Sequence, residues 1–364
     1  MRNLKDMPKR NPINGTFELT GRCNLKCNMC LVRVNQQRMD ELKLKERTAN
    51  EWIHMAEQAK KAGTVGLLLT GGEVMLRPDF CEIYEAISKM GFLLTIYTNA
   101  TMVTDKIMEI LRRFPPHKIG VTMYGASNET YKKMCRCADG YDRFVDGVNK
   151  LSTLPSLLDI RTTIVQENFK DLQAMRDFTL RKFGPNKVLH ISRMVMDKVR
   201  GGVTCPKESR LTPEQNVELA YEEIINLYRQ IQNGEIITIG DKKEKLYLHH
   251  NESLKEGSYI FKNCAAGITQ YMINWNGRMY ACELLDQGYT EPFSTGFENA
   301  WNCLPERYPV SQEIRACKSC KFAGVCETCP AVRLAETGDW FGLPEYACKE
   351  AKRVYQILSD LDVI

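Results

Sequence analysis

Three cysteines lie close together near the start of the chain, in the run Cys23-Asn24-Leu25-Lys26-Cys27-Asn28-Met29-Cys30. Three thiols cannot all pair with one another as disulfides, and thiolates are soft ligands that favour iron–sulfur clusters, zinc and copper(I). A four-iron cluster normally takes four cysteines, so three would leave one iron open to a small molecule. A zinc knuckle is the competing interpretation, but the nearest histidine, His54, falls inside a predicted helix. The spacing therefore predicts a chemical site with an open position.

The composition limits the classes of protein to consider. Residues 1–10 contain no apolar signal segment, and no run approaches the ~20 apolar residues of a membrane span. The net charge of +5 over 364 residues gives no concentrated basic stripe for a nucleic acid. Fifteen cysteines in a chain without a secretion signal point to metals or catalysis. We expect a soluble, cytoplasmic protein that binds neither membranes nor nucleic acids.

The first part of the chain alternates strand and helix patterns. Short apolar runs predict strands over 13–20, 65–69, 92–97, 118–123, 157–165 and 187–194. Helical patterns follow over about 48–62, 78–91, 104–115, 141–151, 168–183 and 214–231, and the first of them opens with a capping box, Thr48-Ala49-Asn50-Glu51. Six such units predict an α/β fold of parallel strands, and six are too few for a closed eight-stranded barrel. We expect an open, partial (β/α)6 barrel, with a doubly wound sheet as the alternative.

The unusual residues of this region follow strand ends. The cysteine loop follows the first predicted strand, Gly71-Gly72-Glu73 the second and Thr98-Asn99 the third. Functional groups of parallel α/β folds sit at this edge of the sheet. After about residue 235 the alternation ends and cysteines recur. We therefore predict two domains, 1–235 and 236–364, the second with the cysteines Cys264, Cys282, Cys317, Cys320, Cys326, Cys329 and Cys348.

These motifs, in this order, resemble the radical S-adenosylmethionine (radical SAM) enzymes with a C-terminal SPASM domain, which carries auxiliary iron–sulfur clusters. The resemblance implies that Cys23, Cys27 and Cys30 hold a [4Fe–4S] cluster whose open iron binds S-adenosylmethionine (SAM). One-electron reduction would then cleave SAM to a 5′-deoxyadenosyl radical, which takes hydrogen from a substrate. The implied SAM contacts are Met29, Gly71, Gly72, Glu73, Thr98, Asn99, Thr122, Arg143 and Arg193. Packing, turns or strand capping are the alternative roles for these residues.

The resemblance also implies two auxiliary [4Fe–4S] clusters. One set of ligands is Cys317, Cys320, Cys326 and Cys348, and the other is Cys264, Cys282 and Cys329. The second cluster would have an open iron or would use Cys303. The spacing before Cys329 is one residue shorter than the family pattern, and a zinc ribbon on the four cysteines from 317 to 329 remains the alternative. We expect structural roles for Cys81, Cys135, Cys137 and Cys205.

The substrate is less constrained by the sequence. Tyr124-Gly125-Ala126-Ser127 resembles the peptide-modifying branch, which predicts a ribosomally made peptide that is crosslinked through a thioether or carbon–carbon bond, or oxidised. Sulfatase maturation, sugar or aminoglycoside dehydrogenation, and a non-catalytic iron–sulfur or zinc scaffold are the alternatives. Tyr124 and Glu283 are candidate catalytic residues. We expect a flavodoxin- or ferredoxin-type reductant. Because few residues precede the first strand, we also expect a separate protein to bind any peptide leader.

Overall fold

An eight-stranded sheet forms the centre of the fold. The structure is a computed structural model that describes residues 7–43, 45–221, 224–225, 257–261 and 263–361. Its strands are β1 (Asn14–Glu18), β2 (Gly66–Thr70), β3 (Leu93–Thr98), β4 (Lys118–Thr122), β5 (Leu157–Thr163), β6 (His190–Ser192), β7 (Gln270–Ile273) and β8 (Met279–Tyr280).

The strand order is β6-β5-β4-β3-β2-β1-β7-β8. Strands β1 to β6 are parallel, and each pairs with its neighbour in sequence. A doubly wound sheet would reverse this order at a switch point, and β1 to β6 do not. The predicted partial barrel of six parallel strands is therefore confirmed. Two strands of the later region also join the sheet, because β7 pairs in parallel with β1 and β8 pairs antiparallel with β7.

Helices connect the strands and follow the local signals in the sequence. Thr48 opens the second helix with a capping box, in which its hydroxyl oxygen accepts from the amide of Glu51 and Glu51 reaches back. The sequence patterns did not predict the first and fifth helices. The helices are α1 (Gln36–Glu41), α2 (Ala49–Lys61), α3 (Phe80–Ser88), α4 (Asp105–Arg113), α5 (Asn128–Cys135), α6 (Gly140–Leu151), α7 (Leu172–Phe183), α8 (Pro206–Ser209), α9 (Pro213–Leu219), α10 (Pro292–Thr295), α11 (Phe297–Cys303), α12 (Arg315–Lys318), α13 (Pro330–Thr337) and α14 (Glu345–Asp360).

The two faces of the sheet differ in polarity. Phe17 on β1 packs on Trp52 of α2, with ring centroids 5.1 Å apart, and both rings are fully buried. Successive side chains of a strand alternate between faces, so Glu18 lies on the opposite, inner face. By the same alternation Tyr97, Thr122 and Arg161 share that face, and all three are half-buried. The helix-covered face is therefore the apolar core, and the inner face is polar.

The chain divides into two compact units. The sheet unit consists of 9–210 and 266–307, and the cysteine-rich unit consists of 1–8, 211–265 and 308–364. In the cysteine-rich unit, the apolar side chains of Val217 and Ile225 pack with Ile357 of α14. The predicted boundary near residue 235 and the end of the predicted helix over 214–231 lie outside the described residues. No helix within the described part of the chain is long and apolar enough to cross a membrane.

Candidate active site

The cysteine loop begins directly after β1, at the carboxyl edge of the sheet, and α5 supports its middle. The amide of Lys26 donates to the carbonyl of Cys135 (2.9 Å), and the amide of Asn28 donates to that of Met134 (3.0 Å). The last carbonyls of a helix have no partner within the helix, so they are free to bind another segment. The C-terminus of α5 therefore fixes the backbone on both sides of Cys27.

Side chains from three other strand ends hold the same loop. The Asn24 amide donates to the Thr101 hydroxyl after β3 (2.8 Å), and the Asn28 amide donates to Glu167 after β5 (2.8 Å). After β6, the Thr204 hydroxyl donates to the carbonyl of Cys30. Because these contacts come from elements that the sheet already positions, the protein shapes the loop without help from a ligand.

The three thiols of the loop converge in a buried environment. Burial raises the pKa of Cys23 well above its usual range, and the charges of Glu73 and the other two thiols add to the shift. Burial and the proximity of Cys27 raise the pKa of Cys30 to about 11. A hydrogen bond with Cys135, together with burial, raises the pKa of Cys27. Such thiols need a cation to exist as thiolates, and a metal supplies it.

The donor set fits an iron–sulfur cluster. The amide of Leu25 donates to the Cys23 sulfur (3.4 Å), and amides of Val32 and Arg33 donate to Cys30. Hydrogen bonds of this kind stabilise cluster sulfurs and tune their potential. No three His, Cys, Asp or Glu side chains of the described ranges lie close enough to hold one metal ion. A four-iron cluster spaces its thiolates more widely than one ion does, because each sulfur binds a different iron.

Gly71 and Gly72 let the segment after β2 pack against the backbone that leads into the cysteine loop. A Cβ on Gly71 would lie 2.5 Å from the carbonyl oxygen of Thr20, and one on Gly72 would overlap the carbonyl of Arg22. The amides of Gly72 and Glu73 donate to these same two carbonyls, at 2.8 and 2.9 Å. These two glycines therefore allow the segment after β2 to pack closely on the backbone of the chain itself.

Glu73 joins the second and third strand ends. One carboxylate oxygen accepts from the Met75 amide (3.1 Å) and the Thr98 hydroxyl (2.8 Å), and the other accepts from the Asn99 amide (2.8 Å). The side chain is 1% exposed, and burial raises its pKa even though these donors oppose the shift. The Glu73 carboxylate therefore already has three hydrogen-bond donors within the chain.

Asn99 lies beside the first cysteine. Its amide donates to the Asn24 side chain (3.0 Å) and approaches the Cys23 sulfur (3.8 Å), while its carbonyl oxygen accepts from Thr101. Thr98 is buried and donates to Glu73. Asn99 thus borders the three thiols, as a residue that contacts a bound small molecule would, whereas Thr98 supports it from behind.

The predicted carboxylate-binding residues are dispersed. Thr122 lies at the end of β4 on the inner face, and Arg193 follows β6 and is half-buried. Arg143 donates to the Thr101 carbonyl (3.2 Å), so it lines the outside of the turn after β3.

Sequence reasoning overlooked Arg161 on β5. Its guanidinium lies 4.1 Å from the centre of the Tyr97 ring, and its buried Nε makes no hydrogen bond to the described residues. An arginine inside an apolar-polar-apolar strand pattern was the available signal.

The two candidate catalytic residues occupy different environments. The Tyr124 hydroxyl hydrogen-bonds to Cys27, and burial raises the pKa of Tyr124. Glu283 is exposed, and its backbone carbonyl accepts from Arg200. Arg200 also forms an ion pair with Glu18 (3.1 Å) in which each side chain is only 4% exposed. Tyr124 therefore lies next to the cysteine loop. The sequence did not predict the buried ion pair of Glu18 and Arg200. Met29 is half-buried in the loop.

Six of the late cysteines belong to the cysteine-rich unit. Cys317, Cys320 and Cys326 lie close enough to Cys348 to raise its pKa, in addition to burial. Cys264 similarly adds to the burial that raises the pKa of Cys329. Each of these two groups of neighbours lies within one of the two predicted ligand sets, while Cys282 and Cys303 belong to the sheet unit. The ligand assignments themselves stay predictions.

Arg333 of α13 supports the first of these sets. It donates to the Cys317 sulfur (3.6 Å) and to the Gly342 carbonyl (2.8 Å), and it is 6% exposed. A buried guanidinium needs negative partners, and cluster thiolates supply them.

Comparison with known proteins identifies the domain. Residues 17–179 match the model of the Radical SAM superfamily. The chain is 25% identical to the AdoMet-dependent heme synthase of Methanosarcina barkeri over 341 residues, which cover 89% of this chain and 93% of that protein. It is 21% identical to the antilisterial bacteriocin subtilosin biosynthesis protein AlbA of Bacillus subtilis, over 87% of this chain and 67% of that protein. Among solved structures, Streptococcus suis SuiB bound to precursor peptide SuiA superposes with a TM-score of 0.65 at 16% identity, over 93% of this chain and 76% of that one.

Proposed function

We propose that this chain, a radical SAM enzyme with a SPASM-type cysteine-rich region, abstracts hydrogen from a ribosomally made peptide to crosslink or oxidise it. The observation that carries the proposal is the convergence of Cys23, Cys27 and Cys30 at the carboxyl edge of the sheet, beside Gly71–Glu73 and Asn99. When bound, the cluster and SAM supply a 5′-deoxyadenosyl radical as the hydrogen acceptor.

The residues of the chain have three tasks in this chemistry. Cys23, Cys27 and Cys30 hold the cluster and leave one iron open. We assign the carbonyls of Gly71 and Gly72 to accept from the ammonium group of SAM, since the Glu73 carbonyl already accepts from the Leu76 amide, and Asn99 offers an amide at the same edge. The fifteen free cysteines suit a reducing compartment, so we place this activity in the cytoplasm.

Two relationships support a peptide as the substrate. AlbA is named for bacteriocin biosynthesis, and SuiB was solved with a precursor peptide bound. The Tyr124-Gly125-Ala126-Ser127 segment, which supports this branch in the sequence, places the Tyr124 hydroxyl on Cys27. A substitution at Tyr124 would therefore remove a hydrogen bond to a cluster ligand. A reductant and a leader-binding protein are the partners that this proposal requires.

A carboxylate-bearing tetrapyrrole is the second candidate. The heme synthase relative matches over 93% of its length. The inner face carries two cations, Arg161 and Lys118, which both pair with Asp159 (3.2 and 2.7 Å), and the buried Nε of Arg161 makes no hydrogen bond among the described residues. A guanidinium suits a carboxylate in geometry and charge. A peptide without acidic residues has no need of this cluster.

The test is anaerobic turnover of the reconstituted full chain with SAM and dithionite. We expect 5′-deoxyadenosine and methionine, and their absence from wild type that carries its full iron would favour the scaffold alternative. Mass spectrometry of added substrates then separates the classes, since a modified peptide loses hydrogen only, and a propionate oxidised to a vinyl group loses carbon dioxide together with two hydrogens. Cys27→Ala serves as the inactive control. Arg161→Gln should reduce turnover of the tetrapyrrole and spare that of the peptide, and the opposite pattern would exclude the tetrapyrrole.

A further inference from the structure

Four exposed cations surround the place where the cysteine loop meets α5. Lys26 lies in the loop, Lys132 and Lys133 lie in the last turn of α5, and Arg136 follows that helix. None of the four forms an ion pair with a described residue. Asp139, the acid that follows them in sequence, is already engaged by the Cys137 thiol (3.4 Å). We call these four residues the basic patch.

The basic patch covers a cluster ligand. The carbonyl of Cys135 accepts from the Lys26 amide, and the Cys135 side chain is fully buried and hydrogen-bonds to Cys27. One layer of side chains therefore separates the patch surface from the sulfur of Cys27. Electron transfer needs such a short path, because its rate falls steeply with distance.

Arg136 has an unusual backbone conformation for its residue type. Its φ of 57° is in the left-handed region, where helices usually end on glycine or asparagine. A long side chain there carries a backbone penalty relative to glycine. This conformation ends α5 at the edge of the basic patch, where the Arg136 side chain is exposed.

We propose that the basic patch is the docking surface for an acidic one-electron carrier that reduces the SAM-binding cluster. In the productive step the carrier loses one electron and the oxidised cluster gains it, with no bond made or broken. The proposal rests on the proposed function, since it needs a redox cluster on Cys23, Cys27 and Cys30. Opposite charges on the two surfaces would steer the encounter and make it sensitive to salt.

The experiment compares two charge reversals. Lys132→Glu/Lys133→Glu/Arg136→Glu alters the patch, and Arg176→Glu/Arg181→Glu/Lys182→Glu makes the same change of charge on exposed residues of α7. Both sets include two cations from the last turn of a helix, so their local cost to the helix is matched. Stopped-flow spectroscopy measures cluster reduction in the full chain by a prereduced acidic ferredoxin, at low and physiological salt.

We expect the patch variant to lose about 10–100-fold in the second-order rate constant at low salt, and most of its salt dependence. The α7 variant should match wild type. Equal rates in all three proteins, or equal losses in both variants, would overturn the proposal. Photoreduction with a deazaflavin checks that each cluster is intact without a protein donor. If the patch variant loses its cluster, Lys132→Gln/Lys133→Gln and Lys26→Gln repeat the comparison with smaller changes.

The proposed function has a separate readout in the same samples. If photoreduced wild type forms no 5′-deoxyadenosine, the proposed function fails, whereas the ferredoxin rates still report whether the patch docks an electron carrier.

Discussion

The first cysteine loop and the late cysteines are held in contrasting ways. Four parts of the sheet unit bind the loop through its backbone and side chains, and Cys27 is buried. Of the late cysteines, Cys264 and Cys348 are exposed, Cys317 lies in the single turn of α12 and Cys348 lies in the first turn of α14. Among the described residues, one apolar cluster near Cys326 has three buried members, Val325, Ala351 and Leu358.

The difference separates a preformed site from one that its cofactor completes. An open iron must present the same geometry to each SAM molecule, so the protein has to fix the loop independently. In the cysteine-rich unit, iron–sulfur bonds would instead add to an apolar core that is small, because a small unit buries less surface. Three experiments test this contrast, in order of decreasing effect.

Iron removal should affect the two units unequally. Anaerobic chelation is expected to expose the amides of residues 315–348 to rapid hydrogen exchange, because the clusters supply much of the folding energy of the cysteine-rich unit. The strands β1 to β5 should keep their protection, since their packing does not depend on iron. Hydrogen exchange with mass spectrometry before and after chelation measures both. Equal loss of protection in the two units would contradict the contrast.

Glycine substitution tests the fixed loop. In Gly72→Ala the new methyl would overlap the backbone of Arg22, which the sheet prevents from moving. We expect a loss of about 3 kcal/mol in the free energy of unfolding, together with reduced iron at the first site. Gly324→Ala in the late cysteine region is the matched control, since its methyl meets no atom within 4 Å. Denaturant unfolding measures the stability, and iron analysis measures the content of the first site. If Gly72→Ala had the stability and iron content of wild type, the loop would be able to shift and is not fixed.

Removal of one thiol should tune the first cluster alone. Cys135→Ala removes the hydrogen bond to Cys27, so the potential of the first cluster should fall by about 40 mV, the one-electron equivalent of a ~1 kcal/mol hydrogen bond. Cys135→Ser restores a donor and should recover much of this shift. Cys137→Ala removes a half-buried thiol that bonds to Asp139 and should leave the potential unchanged. EPR redox titration measures all clusters, and a shift in the auxiliary potentials would argue for a general structural change.

Features of the fold that depend on local sequence patterns were predicted from the sequence. The alternation of strands and helices gave the parallel sheet, and Thr48 with Glu51 located a helix start. The position of the cysteine loop at the carboxyl edge followed from the same alternation. Gly71 and Gly72 were predicted as SAM contacts, but the atoms closest to them are those of the backbone of Thr20 and Arg22. Spacing alone cannot show which surface a glycine faces.

Contacts between distant segments could not be predicted. The sequence predicts a structural role for Cys135, since cysteines are often buried apolar residues, and its contact with Cys27 depends on the path of α5, which the sequence patterns did not predict. Glu18 and Arg200 are 182 residues apart in the sequence, and they form a buried ion pair. Such pairs depend on the three-dimensional path of loops that carry no periodic pattern.

The pairing of β7 with β1 has a consequence for synthesis. One edge of β1 is covered by β2, which ends at residue 70, but the other is covered only when residues 270–273 have been made. At ~5–20 residues per second the ribosome leaves this edge unpaired for roughly ten seconds or longer. Exposed strand edges invite pairing with other chains. The nascent protein therefore has a defined interval in which a chaperone is most useful.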